Sequence, residues 1–246
     1  MSIELAIYPS LRGKLVIVTG GASGIGACLV ENFAKQGARV GILDCDENKG
    51  MALAGRTGAT FAHCDLRDIK HLRRVLAGFE KIAVLVNNAA NDDRHSMASV
   101  EPDYWDDRMA INLRHQFFAT QALAEQMKLA RAGSIINFGS VAWQRRLGGM
   151  TAYTTAKAAV HGMTRSLARE LGGYGIRVNE VMPGWIFTER QESLWATPES
   201  IAETMKLQCI PERLYPEDVA WLVLWLAADD SRLVTAQSFY VDGGSL

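Results

Sequence analysis

A doubly wound α/β fold, one parallel sheet covered by helices on both faces, is what this sequence predicts, and three observations predict it. Short, almost wholly apolar runs alternate with amphipathic stretches along the whole chain, and strands buried on both faces read as continuous apolar runs rather than as alternating ones. A glycine-rich turn, TGGASGIG (19–26), stands between the first such run and the first helical stretch. No repeat, low-complexity segment or Pro/Ser-rich linker interrupts the 246 residues, so the expectation is a single domain over 1–246.

In chain order, KLVIVTG (14–20) is the first strand, and IGACLVENFAKQGA (25–38) carries apolar residues three and four apart, the spacing of a helix with one buried face. RVGILD (39–44), ATFAHCD (59–65), IAVLVNNA (82–89), GSIINFGS (133–140), IRVNEVMPG (176–184) and QSFYVDGG (237–244) supply the other strands, about seven in all. Helices are expected near 47–55, 68–79, 103–130, 151–172 and 216–228. The architecture is therefore Rossmann-like, and in such sheets ligands bind beyond the carboxyl ends of the strands. Trp105 and the pair Trp221 and Trp225 read as packing residues on these helices.

Charge and composition exclude several classes. With 26 basic and 27 acidic residues the formal net charge is −1, which offers no electrostatic case for nucleic acid or an anionic membrane, and the short patch QRR (144–146) does not change that. No stretch approaches the ~18–20 apolar residues of a membrane span. The opening MSIELAIYPSLRGK does not read as a secretory leader. Cys28, Cys45, Cys64 and Cys209 lack metal-ligand spacing, so no metal is expected, and free thiols point to a reducing cytoplasm.

The glycine turn carries the first functional signal. Gly20, Gly24 and Gly26 allow a tight turn and close approach of a ligand, Ser23 and Ile25 lie within it, and the helix that follows offers unpaired N–H groups to a pyrophosphate. Asp44 closes the second strand, where a carboxylate accepts hydrogen bonds from ribose hydroxyls and repels a 2′-phosphate. No Arg or Lys in the turn would neutralise that phosphate, so NAD is favoured over NADP. Asp65, followed by Leu66, is placed to meet the adenine, and the small residues of NNAA (87–90), among them Asn88, Ala89 and Ala90, let the backbone lie against the cofactor.

YTTAK (153–157) carries the second signal. On a helix its phenol and ammonium share a face one turn apart. A cation there favours the phenolate, and bringing Tyr153 from ~10 to the neutral range is a shift of about three units, roughly 4 kcal/mol.

Taken jointly, TGGASGIG, NNAA, Asn112, Ser140, YTTAK and MPG (182–184) resemble the short-chain dehydrogenases/reductases, in an order that spans nearly the whole chain. That resemblance implies a tetrad of Asn112, Ser140, Tyr153 and Lys157. Tyr153 would take the proton of a substrate hydroxyl while hydride passes to the nicotinamide, with Ser140 hydrogen-bonding the reacting oxygen. Lys157 would depress the Tyr153 pKa and bind the nicotinamide ribose, and Asn112 would help hold a water leading from Lys157 to solvent. The resemblance also implies cofactor contacts at Pro183, Gly184, Ile186 and Thr188, and a homotetramer joined through the long helices after the fourth and fifth strands and through the C-terminal segment. Ala90 departs from the glycine more usual after N-N-A.

A narrower similarity, carried by NNAANDDRH (87–95), YWDDRMAINLRHQFFATQA (104–122), INFGS (136–140) and ERQE (189–192), is to bacterial aldose 1-dehydrogenases. It implies oxidation of the anomeric hydroxyl of a free sugar to a lactone, with D-xylose, L-arabinose, L-fucose, L-rhamnose and D-galactose all open. The residues are compatible with a polyol. Asp92, Arg94 and His95 follow the fourth strand, and Trp143, Gln144, Trp185 and Arg190 lie on segments expected to converge there with Ser140 and Tyr153. Two other functions stay open: a dehydrogenase of another secondary alcohol or hydroxy acid, and a catalytically silent NAD-binding sensor. Residues 185–208 are expected to form a substrate lid.

Overall fold

The computed structural model describes residues 6–246; the first five, part of the opening stretch read above as carrying no leader, lie outside the described residues. The elements run β1 (Leu15–Thr19), α1 (Gly24–Lys35), β2 (Arg39–Asp44), α2 (Glu47–Thr57), β3 (Thr60–His63), α3 (Ile69–Ala77), β4 (Ile82–Asn87), α4 (Pro102–Met109), α5 (His115–Ala130), β5 (Gly133–Phe138), α6 (Thr151–Leu171), β6 (Ile176–Pro183), α7 (Glu189–Trp195), α8 (Pro198–Leu207), α9 (Pro216–Ala227) and β7 (Ser238–Val241). The seven strands form one sheet in the order β3-β2-β1-β4-β5-β6-β7, every neighbouring pair parallel. The order reverses between β1 and β4, which opens the crevice in which such sheets take their ligands.

Alternate residues of each strand feed opposite faces. Val16 and Val18 join a core with Leu29, Phe33, Leu53 and Val223, so α1, α2 and α9 cover one face. Leu15 and Ile17 join Leu72, Leu123 and Leu167, so α3, α5 and α6 cover the other. Local signals set the helix ends. Asp46 accepts a hydrogen bond from the Lys49 N–H, Asp68 does the same for His71, and Gly58 ends α2 in the left-handed region at φ +73°. Among the described residues no helix is long and apolar enough to cross a membrane.

Three departures from the sequence reading bear on function. Several strands stop two or three residues short of their apolar runs: β4 ends at Asn87, β5 at Phe138 and β7 at Val241; beyond β4 and β5 the chain leaves the sheet to line the crevice. The helix expected over 103–130 is two helices joined by a widened π turn at Ala110–Arg114. Residues 185–208 contain α7 and α8, which were not foreseen as helices.

Candidate active site

The nucleotide end is assembled mostly from backbone. Gly20 sits at φ +63°, and a β-carbon there would lie 2.7 Å from Ala89 Cα, so the β1–α1 turn is pressed against the end of β4. Gly26 is tighter still, since a β-carbon would overlap the Gly20 carbonyl oxygen. Asn88 Nδ2 fixes the same junction by donating to the carbonyls of Thr19 and Gly20, both at 3.0 Å. Ser23, at the N-cap of α1, makes no side-chain capping bond, which leaves the first N–H groups of that helix available to an anion. Asp44 is held in place by the N–H groups of Ala22 (2.9 Å) and Asp46 (3.0 Å).

These groups open on a cavity of about 1450 Å³. Gly20, Ser23, Gly24, Ile25, Gly26, Asp44, Asp65, Leu66, Asn88, Ala89, Ala90, Pro183, Gly184, Ile186 and Thr188 all line it, as do Tyr153 and Lys157. Arg67, not singled out in the sequence, lines it too. It grips Asp65 with Nε at 2.9 Å and Nη2 at 2.8 Å and reaches Asp107 at 3.0 Å, and its guanidinium holds the Asp65 carboxyl below the usual carboxylate range.

Beyond β5 the chain turns through Gly139 to Ser140, which is 9% exposed and whose Oγ accepts from the Ala142 N–H at 3.1 Å. Tyr153 and Lys157 rise beside it from the first two turns of α6. Lys157 is 1% exposed, and its Nζ donates to the Phe138 carbonyl at 2.7 Å, 5.7 Å from the centroid of the Tyr153 ring. The expectation that Lys157 draws Tyr153 toward neutrality does not hold for the chain alone. Burial pushes the phenol up to about 12, and what pulls it back is first the hydrogen bond with Ser140. Burial also pushes Lys157 itself down to about 8, against the charges of Glu180 and Asp92. The Lys157 ammonium hydrogen-bonds the Phe138 carbonyl and, in the chain alone, does not offset the effect of burial on the phenol.

Asn112 lies in the widened turn, fully buried and outside the cavity lining. Its side chain is taken up by bonds within the protein. Its Oδ1 accepts from the Asn91 N–H at 2.8 Å, and its Nδ2 donates to the carbonyls of Asn91 and Arg108, both at 3.0 Å. Its backbone carbonyl accepts from Gln116 Nε2 at 3.2 Å. The amide thus pins the loop after β4 to the helix.

The remaining wall joins that loop to α7. Asp92 accepts from Gln191 Nε2 at 2.8 Å, Gln191 Oε1 in turn accepts from Trp185 Nε1 at 2.9 Å, and Arg190 donates to Asp93 at 2.6 Å. Arg94 donates to Met150 Sδ and lies 5.2 Å over the Trp195 ring. Asp92, Arg94, Trp185 and Arg190 line the cavity together with Ser140 and Tyr153. His95, Trp143 and Gln144 do not. His95 accepts the Ala152 N–H at the start of α6 and meets the Tyr104 hydroxyl, so it braces the loop. Trp143 lies 6.4 Å from the His161 ring and Gln144 donates to Tyr240 Oη at 2.9 Å, because the turn after Ser140 carries both toward β7. Gln191 and Trp195, which do line the cavity, were hidden in a short polar helix without buried residues.

A dinucleotide fits this donor set: an open helix N-terminus for the pyrophosphate, a carboxylate fixed at the end of β2, and a crevice whose floor excludes even a methyl group at Gly26. Sheet order, glycine turn and a Ser–Tyr–Lys cluster together define a dinucleotide-dependent oxidoreductase. The family model described as "Enoyl-(Acyl carrier protein) reductase" matches residues 20–245. D-xylose 1-dehydrogenase of Caulobacter vibrioides is 48% identical over 244 residues, covering 97% of this chain and 98% of the relative. The Rhizobium meliloti protein named "Probable galactose dehydrogenase GalD" is 44% identical over 254 residues, 99% of each chain. A solved structure titled "short chain dehydrogenase/reductase family protein" superposes with a TM-score of 0.88 at 32% identity, covering 96% of this chain and 98% of the other. The chain belongs to the short-chain dehydrogenase/reductase family, and is an oxidoreductase of the kind that binds a nicotinamide cofactor.

Proposed function

We propose that this enzyme oxidises the C1 hydroxyl of a free aldose, a pentose or a hexose, to the aldonolactone, with NAD as acceptor. The observation that carries the reading is the meeting of Ser140 and Tyr153 with Asp92, Arg94, Trp185 and Arg190 on one cavity. Carboxylate and guanidinium groups there bracket hydroxyls, and the indole offers its face to sugar C–H groups. The names of the two relatives above support a sugar and leave pentose against hexose open.

Bound nicotinamide supplies the hydride acceptor. The chain's part is to hold the anomeric oxygen on Ser140 Oγ and to take its proton on Tyr153 Oη. With the phenol at about 12 in the chain alone, that transfer requires the pKa to fall when the site fills, and Lys157, placed to bind the nicotinamide ribose, supplies the positive charge. Asp44 selects NAD, since a 2′-phosphate would meet a carboxylate already fixed by two backbone N–H groups.

The test is a panel of aldoses assayed beside apolar secondary alcohols, with NAD and with NADP, read by growth of reduced nicotinamide and by lactone in the product. Turnover of aldoses with NAD is expected; turnover confined to the other alcohols, or none at all, overturns the reading. We further take 185–208 as a lid latched by Arg190 and Gln191, to be checked by protease protection with NAD and sugar bound. A cytoplasmic homotetramer packed through α5 and α6 is checked by light scattering.

A further inference from the structure

Glu180 sits in the middle of β6 with no exposed surface, where a carboxylate is costly unless something holds it. Two elements do. Ser238 Oγ on β7 donates to its Oε2 at 2.6 Å, and His161 Nδ1, one turn beyond Lys157 on α6, lies 3.0 Å from the same oxygen. The other oxygen, Oε1, has no hydrogen-bond partner among the described residues. It lies against Gly139, where a β-carbon would overlap it. Gly139 is the link between the Phe138 carbonyl, which receives Lys157 Nζ, and Ser140. A buried carboxylate oxygen is thus set against the backbone that carries Ser140 and whose Phe138 carbonyl receives Lys157.

We propose that Glu180, held by Ser238 and His161, is a positioning residue whose buried carboxylate is the counter-charge that keeps Lys157 an ammonium. This rests on Lys157 holding the nicotinamide ribose, as proposed above. Among the influences on Lys157 that oppose burial, the charge of Glu180 is the largest, and Asp92 from the loop after β4 acts in the same direction. From α5 the lysine meets His115, which burial pushes down to about 3 and so leaves neutral. On its own helix it has Tyr153 and His161. Removing the Glu180 charge therefore leaves burial less opposed and lowers the Lys157 pKa.

The readout needs no sugar: NADH binding followed by tryptophan fluorescence from about pH 6 to about pH 10, alongside thermal unfolding, on wild type, E180Q, E180S, E180D and K157M. Wild-type affinity should fall above a midpoint that K157M abolishes. In E180Q and in E180S that midpoint should move down by about one pH unit, making NADH about tenfold weaker on the alkaline side. E180D, which keeps the charge, should stay near wild type. Identical midpoints in wild type and both uncharged variants, with K157M still abolishing the dependence, overturn the inference and leave the role of Lys157 standing. So does an aspartate variant that moves as far as the glutamine one. A midpoint that persists in K157M removes the reading of Lys157 and this inference with it. Failure of both uncharged variants to fold would mark Glu180 as a brace between β6 and β7 and would also overturn it.

Discussion

The two ends of the cavity are built on different principles. At the nucleotide end, the β1–α1 turn is pressed against the end of β4 too closely to admit a side-chain atom at Gly20 or Gly26, and the Asp44 and Asn88 side chains are tied to the backbone of the same turn. At the substrate end, the loop after β4 meets α7 through side chains alone, Arg190 to Asp93 and Gln191 to Asp92, and α7 and α8 bury none of their residues. Contacts of the first kind leave no room for a larger side chain at the glycines and line the part of the cavity suited to a dinucleotide. Contacts of the second kind are cheap to rearrange, since exposed ion pairs contribute little to stability, and that is where a family can change its substrate.

Four substitutions break or sharpen this contrast, from the largest effect down. Tyr153→Phe, at the boundary between the two ends, should cut kcat by about 10³-fold or more while leaving NADH affinity near wild type; unchanged turnover would overturn the proposal that Tyr153 is the base. Gly26→Ala forces a methyl group into the Gly20 carbonyl oxygen, at a cost of about 3 kcal/mol and a Tm about 6–12 °C lower by calorimetry. Asp44→Ala should lower kcat/KM for NAD by about 10- to 100-fold and narrow the gap to NADP in steady-state assays. Arg190→Ala should change stability by less than about 1 kcal/mol and raise the sugar KM by about 3- to 10-fold with kcat preserved. If Arg190→Ala instead lowered Tm as far as Gly26→Ala, the two ends would not differ as described.

The same contrast explains what could be read from the sequence. The nucleotide end was legible because each feature is a local demand on chain geometry: a glycine at positive φ, a carboxylate at a strand end, small residues in NNAA. Every residue read for that role lines the cavity. The strand ends were over-extended because Asn88 and Gly139 continue an otherwise suitable run, yet one turns aside to bond Thr19 and Gly20 and the other to make room for Glu180. The helices of 185–208 escaped because ERQESLW has no buried stripe to give it a period; only the caps at Thr188 and Thr197 mark it. The Tyr153–Lys157 pair was legible, but the effect of burial on its charges was not. Spacing shows that two groups share a helix face. It does not show that Lys157 is buried while Tyr153 keeps some exposure, nor that Glu180, a strand residue within IRVNEVMPG, bears on the charge of Lys157.

The widened turn at Ala110–Arg114 makes the helical run from Pro102 to Ala130 two rods in different angular phase. One surplus residue in a turn rotates everything downstream by roughly a quarter of a revolution, and that offset is what carries Gln116, Ala119 and Leu123 inward. Deleting a single residue here would give a more regular helix and a worse protein: the hydrogen bonds would straighten, while the apolar seam of α5 would swing out of line with the sheet it has to cover.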